Sequence, residues 1–285
     1  TKADGRGNLG ANIPLIALVN PSSVAAENRI AKAFAYEEDS EQDFDDVAVG
    51  VSTNNGNFLL VAERDFPGEG EGVIGALFDQ EGNLLTPNFG KLDQIQPEGD
   101  EDDPDVDFLA NNDVFLFQVN TDDSLYQNRI TGSVIQPVPG PDGELQVGEQ
   151  QILGSEERKP GVHQGHPSAI ENPFNDELIG AFDYGNSGDG GDIFYFTVGP
   201  APDYVLSEAR EQIPYLEATG GDPINHRHPQ LAADPDSGVI VVSYNVNGST
   251  LEVYGMLFTL LGPEGQMLPD NGESVVDDQI IYQMT

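Results

Sequence analysis

The four histidines of the chain are the residues best suited to metal binding or proton transfer, and they lie in two short clusters. His163 and His166 form the first cluster, and His226 and His228 form the second. In each cluster the last histidine directly precedes a proline. Imidazole groups bind transition metals and exchange protons near neutral pH. Two such clusters in one chain therefore indicate a common site.

Both clusters fall at the same position of an internal repeat, which must place them in the fold. Copies of the repeat begin near residues 47, 104, 167 and 229, which are 57, 63 and 62 residues apart. In each copy an apolar segment follows about ten residues later, as in 58–61, and Gly, Pro, Asn and Asp separate the segments. Short apolar segments between turn residues predict three or four strands for each copy, which is the content of one propeller blade.

The repeat predicts an all-β fold, a β-propeller of about five four-stranded blades that forms a single domain over residues 1–285. The segment 1–44 is an incomplete copy, and we expect 279–285 to complete it, so that the N- and C-termini close one blade. Two stacked β-sandwich domains are the competing architecture. The long period and the absence of Cys and Trp make it the weaker alternative.

The starts of the copies resemble those of bacterial exported β-propeller proteins of the TolB-like and WD40-like kind. His228-Pro229 is followed by Asp234-Pro-Asp-Ser-Gly238, and His166-Pro167 repeats the first part of this pattern. The resemblance covers residues 45 to about 270. It implies the architecture and does not specify an activity.

Carboxylates occupy the position of the histidine clusters in the other two copies. One ring position reads Asp46, Asp103, His166 and His228 around four successive blades. We expect these side chains to lie near each other at one mouth of the channel, and with His163 and His226 they are candidate ligands of a divalent transition metal. The alternative is structural, with each His-Pro step bonded to the backbone of the neighbouring blade.

The clusters also resemble those of metal-dependent polysaccharide-lyase propellers, especially the oligogalacturonate lyase family. The resemblance implies that His163, His166, His226 and His228 hold a metal and that Arg227 meets a uronate. Those enzymes resemble seven-bladed propellers, and 285 residues are too few for seven blades of this length.

A second candidate metal site is the loop that alternates glycine with oxygen-bearing side chains. Asp183, Asn186, Asp189 and Asp192 are candidate Ca²⁺ ligands, because glycine permits the tight turns that wrap oxygens around a hard cation. A flexible hairpin loop is the alternative. The acidic run 98–107 is interpreted as a solvated loop.

The formal net charge of −39, from 50 acidic and 11 basic residues, excludes a nucleic-acid partner, which would need basic residues. It favours a secreted or cell-surface protein in a saline environment. No apolar run is long enough to span a membrane. Phosphate-binding, dinucleotide-binding and serine-nucleophile motifs are absent, so no organic cofactor is expected.

Two functions follow from these observations. The first is a non-catalytic extracellular propeller, stabilised by divalent cations, that binds a protein or polysaccharide surface or assembles with copies of itself. The alternative is a carbohydrate-active enzyme, either a metal-dependent polysaccharide lyase or a glycoside hydrolase, with its site at the channel mouth.

Overall fold

The computed structural model describes residues 15–19, 30–35, 44–66, 70–92, 100–122, 127–153, 162–173, 175–186, 190–199, 204, 211–212, 225–234, 240–247, 253–261 and 279–282. Every element in these ranges is a β-strand, and none contains a helix able to cross a membrane. The strands are β1 (Leu15–Val19), β2 (Ile30–Ala35), β3 (Phe44–Val51), β4 (Phe58–Phe66), β5 (Gly70–Phe78), β6 (Gly90–Lys91), β7 (Asp100–Phe108), β8 (Val114–Asp122), β9 (Gln127–Gln136), β10 (Gln146–Val147), β11 (Gln151–Ile152), β12 (Val162–Glu171), β13 (Leu178–Asn186), β14 (Gly190–Val198), β15 (Glu211–Gln212), β16 (Asn225–Ala233), β17 (Ile240–Asn247), β18 (Val253–Leu261) and β19 (Gln279–Tyr282).

The strands form antiparallel sheets in chain order. β3–β6, β7–β11, β12–β15 and β16–β19 form four sheets, which we call blades 1 to 4, and β1 pairs with β2 in a separate sheet. In blade 2 the outer position is filled by two short pieces, because β10 and β11 both pair with β9. Each predicted start of a repeat lies in the first strand of a blade.

The first strands of the four blades lie side by side. β3 contacts β7, β7 contacts β12, and β12 contacts β16. The first strand of each blade is therefore the inner strand, and the later strands lie progressively further out. This is the arrangement of a β-propeller, and the predicted all-β propeller fold is confirmed.

The last strand pairs differently from the prediction. β19 lies beside β18, with Phe258 opposite Gln279 and Met256 opposite Tyr282, and it forms the outer strand of blade 4. The prediction placed residues 279–285 in the blade of the incomplete copy 1–44, whereas in the structure β1 pairs with β2. The outer strand of each blade comes from the chain that follows its third strand, and local pairing closes a shorter loop at lower entropic cost.

The hydrophobic core lies between the faces of adjacent blades. Phe117 of blade 2 packs against Phe182 and Phe196 of blade 3, and all three are at most 1% exposed. Similar clusters join blade 1 to blade 2 and blade 3 to blade 4. Burial of each large apolar side chain contributes about 1.5–3 kcal/mol, so these layers hold neighbouring blades, and the inner strands, in fixed relative positions.

Two glycines in the third strands receive leucines from the chain that follows. A Cβ on Gly75 would lie 2.4 Å from Leu92 Cδ1, and one on Gly132 would lie 2.4 Å from Leu153 Cδ1. Both leucines are buried at 1% exposure or less. Glycine is needed at both positions because a larger side chain would displace the buried leucine that packs against it.

The acidic run 98–107 is not a solvated loop, because most of it forms the inner strand β7. Val106 and Phe108 are buried in the core between blades 1 and 2, and Asp105 and Asp107 alternate with them. Successive side chains of a strand point to opposite sides, so the two aspartates face blade 3. Asp105 accepts a hydrogen bond from the Ala169 N–H, and Asp107 accepts one from the Glu171 N–H, both at 2.9 Å.

Candidate active site at the centre of the propeller

Each inner strand carries a bulge at the same place, and the residue at the bulge has a left-handed backbone. The register shifts between Asp45 and Val47 in β3, and at the corresponding positions of β7, β12 and β16. The φ angles of the bulge residues are 35° at Asp46, 47° at Asp103, 47° at His166 and 53° at His228. Bulges re-aim side chains and are frequent next to active sites. These four residues, which we call the cavity ring, are the ring position predicted from the repeat.

The cavity ring lines one cavity of about 350 Å³. Four successive inner strands contribute to its wall, so the cavity lies at the centre of the propeller. Asp105 adds a third carboxylate, and Val47 and Val49 add apolar surface. Neither lysine nor arginine is among the described residues that line it.

The structure brings His166 and His228 together. Their ring centroids are 3.6 Å apart, although 62 positions separate them in the chain. His166 Nδ1 lies 2.6 Å from Asp183 Oδ2, and His166 Nε2 lies 3.9 Å from Asp103 Oδ2. Gly165 leaves room for these carboxylates, since a Cβ there would lie 3.2 Å from Asp183 Oδ1.

Carboxylates also join the bulges of adjacent blades through the backbone. The N–H of His166 donates to Asp103 Oδ2 at 3.2 Å, and the N–H of His228 donates to Asp183 Oδ2 at 3.4 Å. The N–H of Asp103 donates to Glu63 Oε2 at 3.4 Å. The bulges of blades 2, 3 and 4 are therefore each held by a carboxylate of the preceding blade.

Glu63 is the most perturbed carboxyl group beside the cavity ring. Burial, with the negative charges of Glu71 and Asp46 adding to it, raises its pKa to about 8. The side chain of Asp105 is perturbed in the same direction, because burial raises its pKa to about 6 against the opposing hydrogen bond from Ala169. At neutral pH Glu63 therefore holds a proton next to Asp46 and Asp103. A carboxyl pKa raised this far beside a cavity is typical of catalytic sites.

The sequence did contain a signal for Glu63, which had not been predicted as a site residue. It ends the apolar segment 58–62, and in the strand register it lies opposite Asp45, just before the bulge. Asp183 ends the apolar segment 178–182 and lies opposite Gly165, at the corresponding place in blade 3. An acidic residue therefore follows the apolar segment at the same repeat position in two blades. This recurrence is the sequence signal that identifies Glu63 and Asp183 as candidate site residues.

Asp183 is a predicted calcium ligand, and its carboxylate bonds to the His166 ring and to the His228 N–H. Its strand forms a hairpin with β14, with Asn186 opposite Gly190. The side chains of Asn186, Asp189 and Asp192 lie outside the described residues. Calcium binding by this hairpin therefore stays a prediction.

The transition-metal site also stays a prediction. The described residues contain no group of three or more His, Asp or Glu side chains that could hold a metal ion. The side chains of His163, His226 and Arg227 lie outside the described residues, so half of the predicted imidazole ligands are not placed. Elemental analysis of the purified protein tests this prediction.

Comparisons with known proteins establish the fold and give no family. No protein-family model matches the chain, and no curated protein matches it. A variant of B. megaterium levansucrase superposes with a TM-score of 0.54 at 11% identity, covering 85% of this chain and 72% of that one. An N-acetylgalactosamine deacetylase from F. plautii, in complex with blood group B trisaccharide, gives a TM-score of 0.51 at 11% identity over 82% and 72%. The GH93 α-L-arabinofuranosidase of Fusarium graminearum, with arabinobiose, gives 0.51 at 11% over 81% and 68%. The propeller fold is thus shared with these proteins, and TolB-like or WD40-like proteins are not among those named.

Proposed function

We propose that this protein is a carbohydrate-active enzyme that cleaves or transfers glycosidic bonds of a neutral sugar in the central cavity. The observation that carries the proposal is the cavity ring, in which four equivalent left-handed residues from four blades turn carboxylate and imidazole groups to one cavity. The non-catalytic propeller that the sequence favoured has no comparable support.

The chemistry of the wall favours a neutral sugar. Asp46, Asp103 and Asp105 present hydrogen-bond acceptors, and sugar hydroxyls supply the matching donors. An anionic uronate would be repelled by the same carboxylates. Val47 and Val49, about half exposed, offer apolar surface to the C–H face of a sugar ring. A glycoside hydrolase or transglycosylase is therefore a better interpretation than a polysaccharide lyase.

The carboxyl groups can supply what glycosidic cleavage requires. One carboxyl must hold a proton for the leaving oxygen, and ionised carboxylates must stabilise the positive charge that develops at the anomeric carbon. Glu63 is assigned the proton because its pKa is raised and its Oε2 accepts from the N–H of Asp103 at 3.4 Å, so that it lies directly behind the cavity wall and not in it. Asp46 and Asp103 line the cavity beside it and are assigned the stabilising role.

The structural neighbours support the same substrate class. The proteins named above are a levansucrase, a deacetylase bound to a trisaccharide and an arabinofuranosidase bound to arabinobiose. Each name or bound ligand concerns a sugar, and each protein has the fold described here. Secretion is proposed with the function, because polysaccharide substrates lie outside cells and the acidic surface suits a saline medium.

The test is turnover of a panel of neutral aryl glycosides and oligosaccharides, followed by release of reducing sugar. Glu63→Gln should lower kcat by roughly 100-fold or more, the usual contribution of an acid–base group. In the wild type, activity should fall as the pH rises through about 8, where Glu63 loses its proton. This alkaline limb should be absent in the variant.

Glu144→Gln is the matched control, because Glu144 is exposed in the turn before β10. It should leave kcat and the alkaline limb unchanged. Full activity of Glu63→Gln, or turnover of uronates in preference to neutral sugars, would contradict the proposal.

A further inference from the structure

One face of β3 is apolar and exposed to solvent from the bulge to the end of the strand. Val47, Val49 and Val51 are 49%, 53% and 54% exposed, and Ala48 and Gly50, which alternate with them, are turned to blade 2. Successive side chains of a strand point to opposite sides, so the three valines share one side of the sheet. We call these three residues the valine face.

The equivalent positions of the other inner strands are more deeply buried. In the repeat, Val49 corresponds to Val106 of β7, and Val51 corresponds to Phe108. Val106 is 4% exposed and Phe108 is 8% exposed, because both pack in the core between blades 1 and 2. Ala169, at the same position of β12, is 8% exposed. The valine face thus has the residue type of a contact between blades and a much larger exposure.

The exposure is confined to the inner strand of blade 1. In the strand register the valine face lies opposite Ala62, Leu60 and Phe58 of β4. Residues directly opposite in an antiparallel pair lie on the same side of the sheet, and these three β4 side chains are at most 4% exposed. The exposed apolar surface is therefore a strip one strand wide that follows β3.

The valine face continues from the central cavity. Val47 and Val49 line the cavity beside Asp46 and Asp103, and Val51 follows them at the end of β3. A strand rises about 3.3 Å per residue, so the face extends roughly 13 Å from Val47 to Val51. This length exceeds that of a single sugar ring. A ligand that fills the cavity and is longer than one sugar unit can therefore lie against the valine face.

We propose that the substrate is a chain of several neutral sugar units, with one unit in the central cavity and the following units along the valine face. The inference rests on the proposed function, and it adds the length of the substrate and the direction in which the chain leaves the cavity. The units along β3 offer C–H surface to the valines, while the unit in the cavity offers hydroxyl groups to the carboxylates.

The charge of the protein favours this occupant over a second copy of the chain. The formal net charge is −39, so two copies brought face to face would repel each other. A neutral sugar chain meets no such repulsion. Continuity with the cavity also favours it, because the same ligand can contact the carboxylates and the valines together.

A single introduced thiol tests where the sugar chain lies. The protein has no cysteine, so Val51→Cys introduces its only thiol, at the end of the valine face away from the bulge. The rate of alkylation by a maleimide is measured with and without a neutral hexasaccharide that the wild-type protein binds. At a hexasaccharide concentration about ten times Kd, this rate should fall about tenfold. The disaccharide of the same sugar, at the same saturation, should protect the thiol less.

Val138→Cys is the matched control, because Val138 is 69% exposed in the connection between β9 and β10. Its alkylation should be unaffected by either sugar. Equal alkylation of Val51→Cys with and without the hexasaccharide would overturn the inference. It would also be overturned if the sugar-free Val51→Cys resisted alkylation while Val138→Cys reacted, or reacted more slowly as the protein concentration rose, since protein would then cover the valine face.

Turnover gives an independent measure of the same contact. In the wild type, kcat/KM should rise from the disaccharide to the hexasaccharide by roughly tenfold, which is equivalent to about 1.4 kcal/mol. Alkylated Val51→Cys should lose most of this rise, because the attached group occupies the path of the chain. Alkylated Val138→Cys should keep it.

These outcomes separate the inference from the proposed function. If the hexasaccharide protects Val51→Cys and the wild type turns over no neutral glycoside, the proposed function fails and the valine face remains a binding surface. If glycosides are turned over without protection of Val51→Cys, the inference fails and the proposed function stands. If no neutral oligosaccharide binds, both fail.

Discussion

Left-handed residues occur at two places in the blades: in the bulge within each inner strand, and in the turn that leads from the inner strand to the second strand. In these turns Gly56, Asn112 and Asp176 have φ angles of 74°, 69° and 57°. We call these three the turn ring. Glycine, asparagine and aspartate are the residues that tolerate this conformation best. The turn ring is therefore explained by backbone geometry.

Backbone geometry explains the cavity ring less fully. Asp46 and Asp103 are of a type that tolerates the conformation, but the other two members are histidines and none is glycine, which tolerates it best. Residues held in an unfavourable conformation cluster where function requires them. The comparison teaches that one backbone conformation serves a structural purpose in the turns and a chemical purpose in the bulges of the inner strands.

Hydrogen bonds between blades also differ between the interior and the turns. Removing an interior one should have the largest effect on stability. Asp105 accepts from the Ala169 N–H in the interior, whereas Glu171 accepts from the N–H of the exposed Ala110 at the turn end. Asp105→Ala should lower the free energy of unfolding by about 1–3 kcal/mol, because the buried N–H loses its partner.

Glu171→Ala should cost less, since water can reach the freed Ala110 N–H. Asp105→Asn retains an acceptor and removes a charge that burial penalises, so it should unfold close to the wild type. Denaturant unfolding of the three variants measures these differences. Equal losses in free energy of unfolding for the two alanine variants would remove the distinction between the interior and the turns.

The pH dependence of stability should show the proton held beside the cavity ring. The pKa of Glu63 is about 8 in the folded protein, against an ordinary value of 4.5. Between these values the folded state keeps a proton that the unfolded chain releases. Its stabilising effect is complete below the lower value and lost as the pH rises through the upper one. Thermal stability should therefore fall as the pH is raised across this window.

In Glu63→Gln, Tm should fall less steeply as the pH is raised. Each kcal/mol of stability that the variant retains at alkaline pH should correspond to about 2–4 °C in Tm. Glu144→Gln, which removes the same charge at an exposed turn, should keep the slope of the wild type. Parallel Tm curves for all three proteins would show that Glu63 does not hold the proton.

Glycine substitutions compare the cavity ring with the turn ring, and we expect them to have a smaller effect on the free energy of unfolding. His228→Gly and Asp176→Gly both relieve a left-handed non-glycine residue, and each should change the free energy of unfolding by no more than about 1 kcal/mol. His228→Gly should also lower the rate of glycoside turnover, whereas Asp176→Gly should not. Loss of activity in both variants would mean that the backbone, and not the side chain, matters at the cavity ring.

Divalent cations should have the smallest effect. Added NaCl should raise Tm, because it screens repulsion among 50 acidic residues. Millimolar CaCl₂ should raise it further only if the β13–β14 hairpin binds calcium, as the sequence predicts. Melting curves at matched ionic strength separate the two effects, and identical curves would contradict the calcium prediction.

The repeat allowed the sequence to predict the fold and the cavity ring together. Equivalent positions of successive blades lie side by side, so Asp103, His166 and His228 converge because they occupy one column of the repeat. The prediction of a solvated loop at Asp105 and Asp107 is wrong, because both lie in the inner strand β7. Their alternation with Val106 and Phe108 was the signal, and it depends on a neighbouring blade that a single copy does not show.

The contact between Asp183 and His166 was beyond prediction for a related reason. Asp183 begins a glycine-rich segment that suits a calcium loop, and only the pairing of β12 with β13 places its carboxylate beside the bulge. The position of β19 was also missed, because hydrogen-bonding capacity alone does not tell which exposed edge a terminal strand will join.

The most direct test of the central claim is a crystal structure of Glu63→Gln soaked with a neutral oligosaccharide that the wild-type protein turns over. We predict a sugar ring in the central cavity, with its hydroxyl groups bonded to the carboxylates of Asp46 and Asp103 that line it. A sugar bound on the outer strands of the blades, with the central cavity free of it, would contradict the assignment of the cavity ring as the active site.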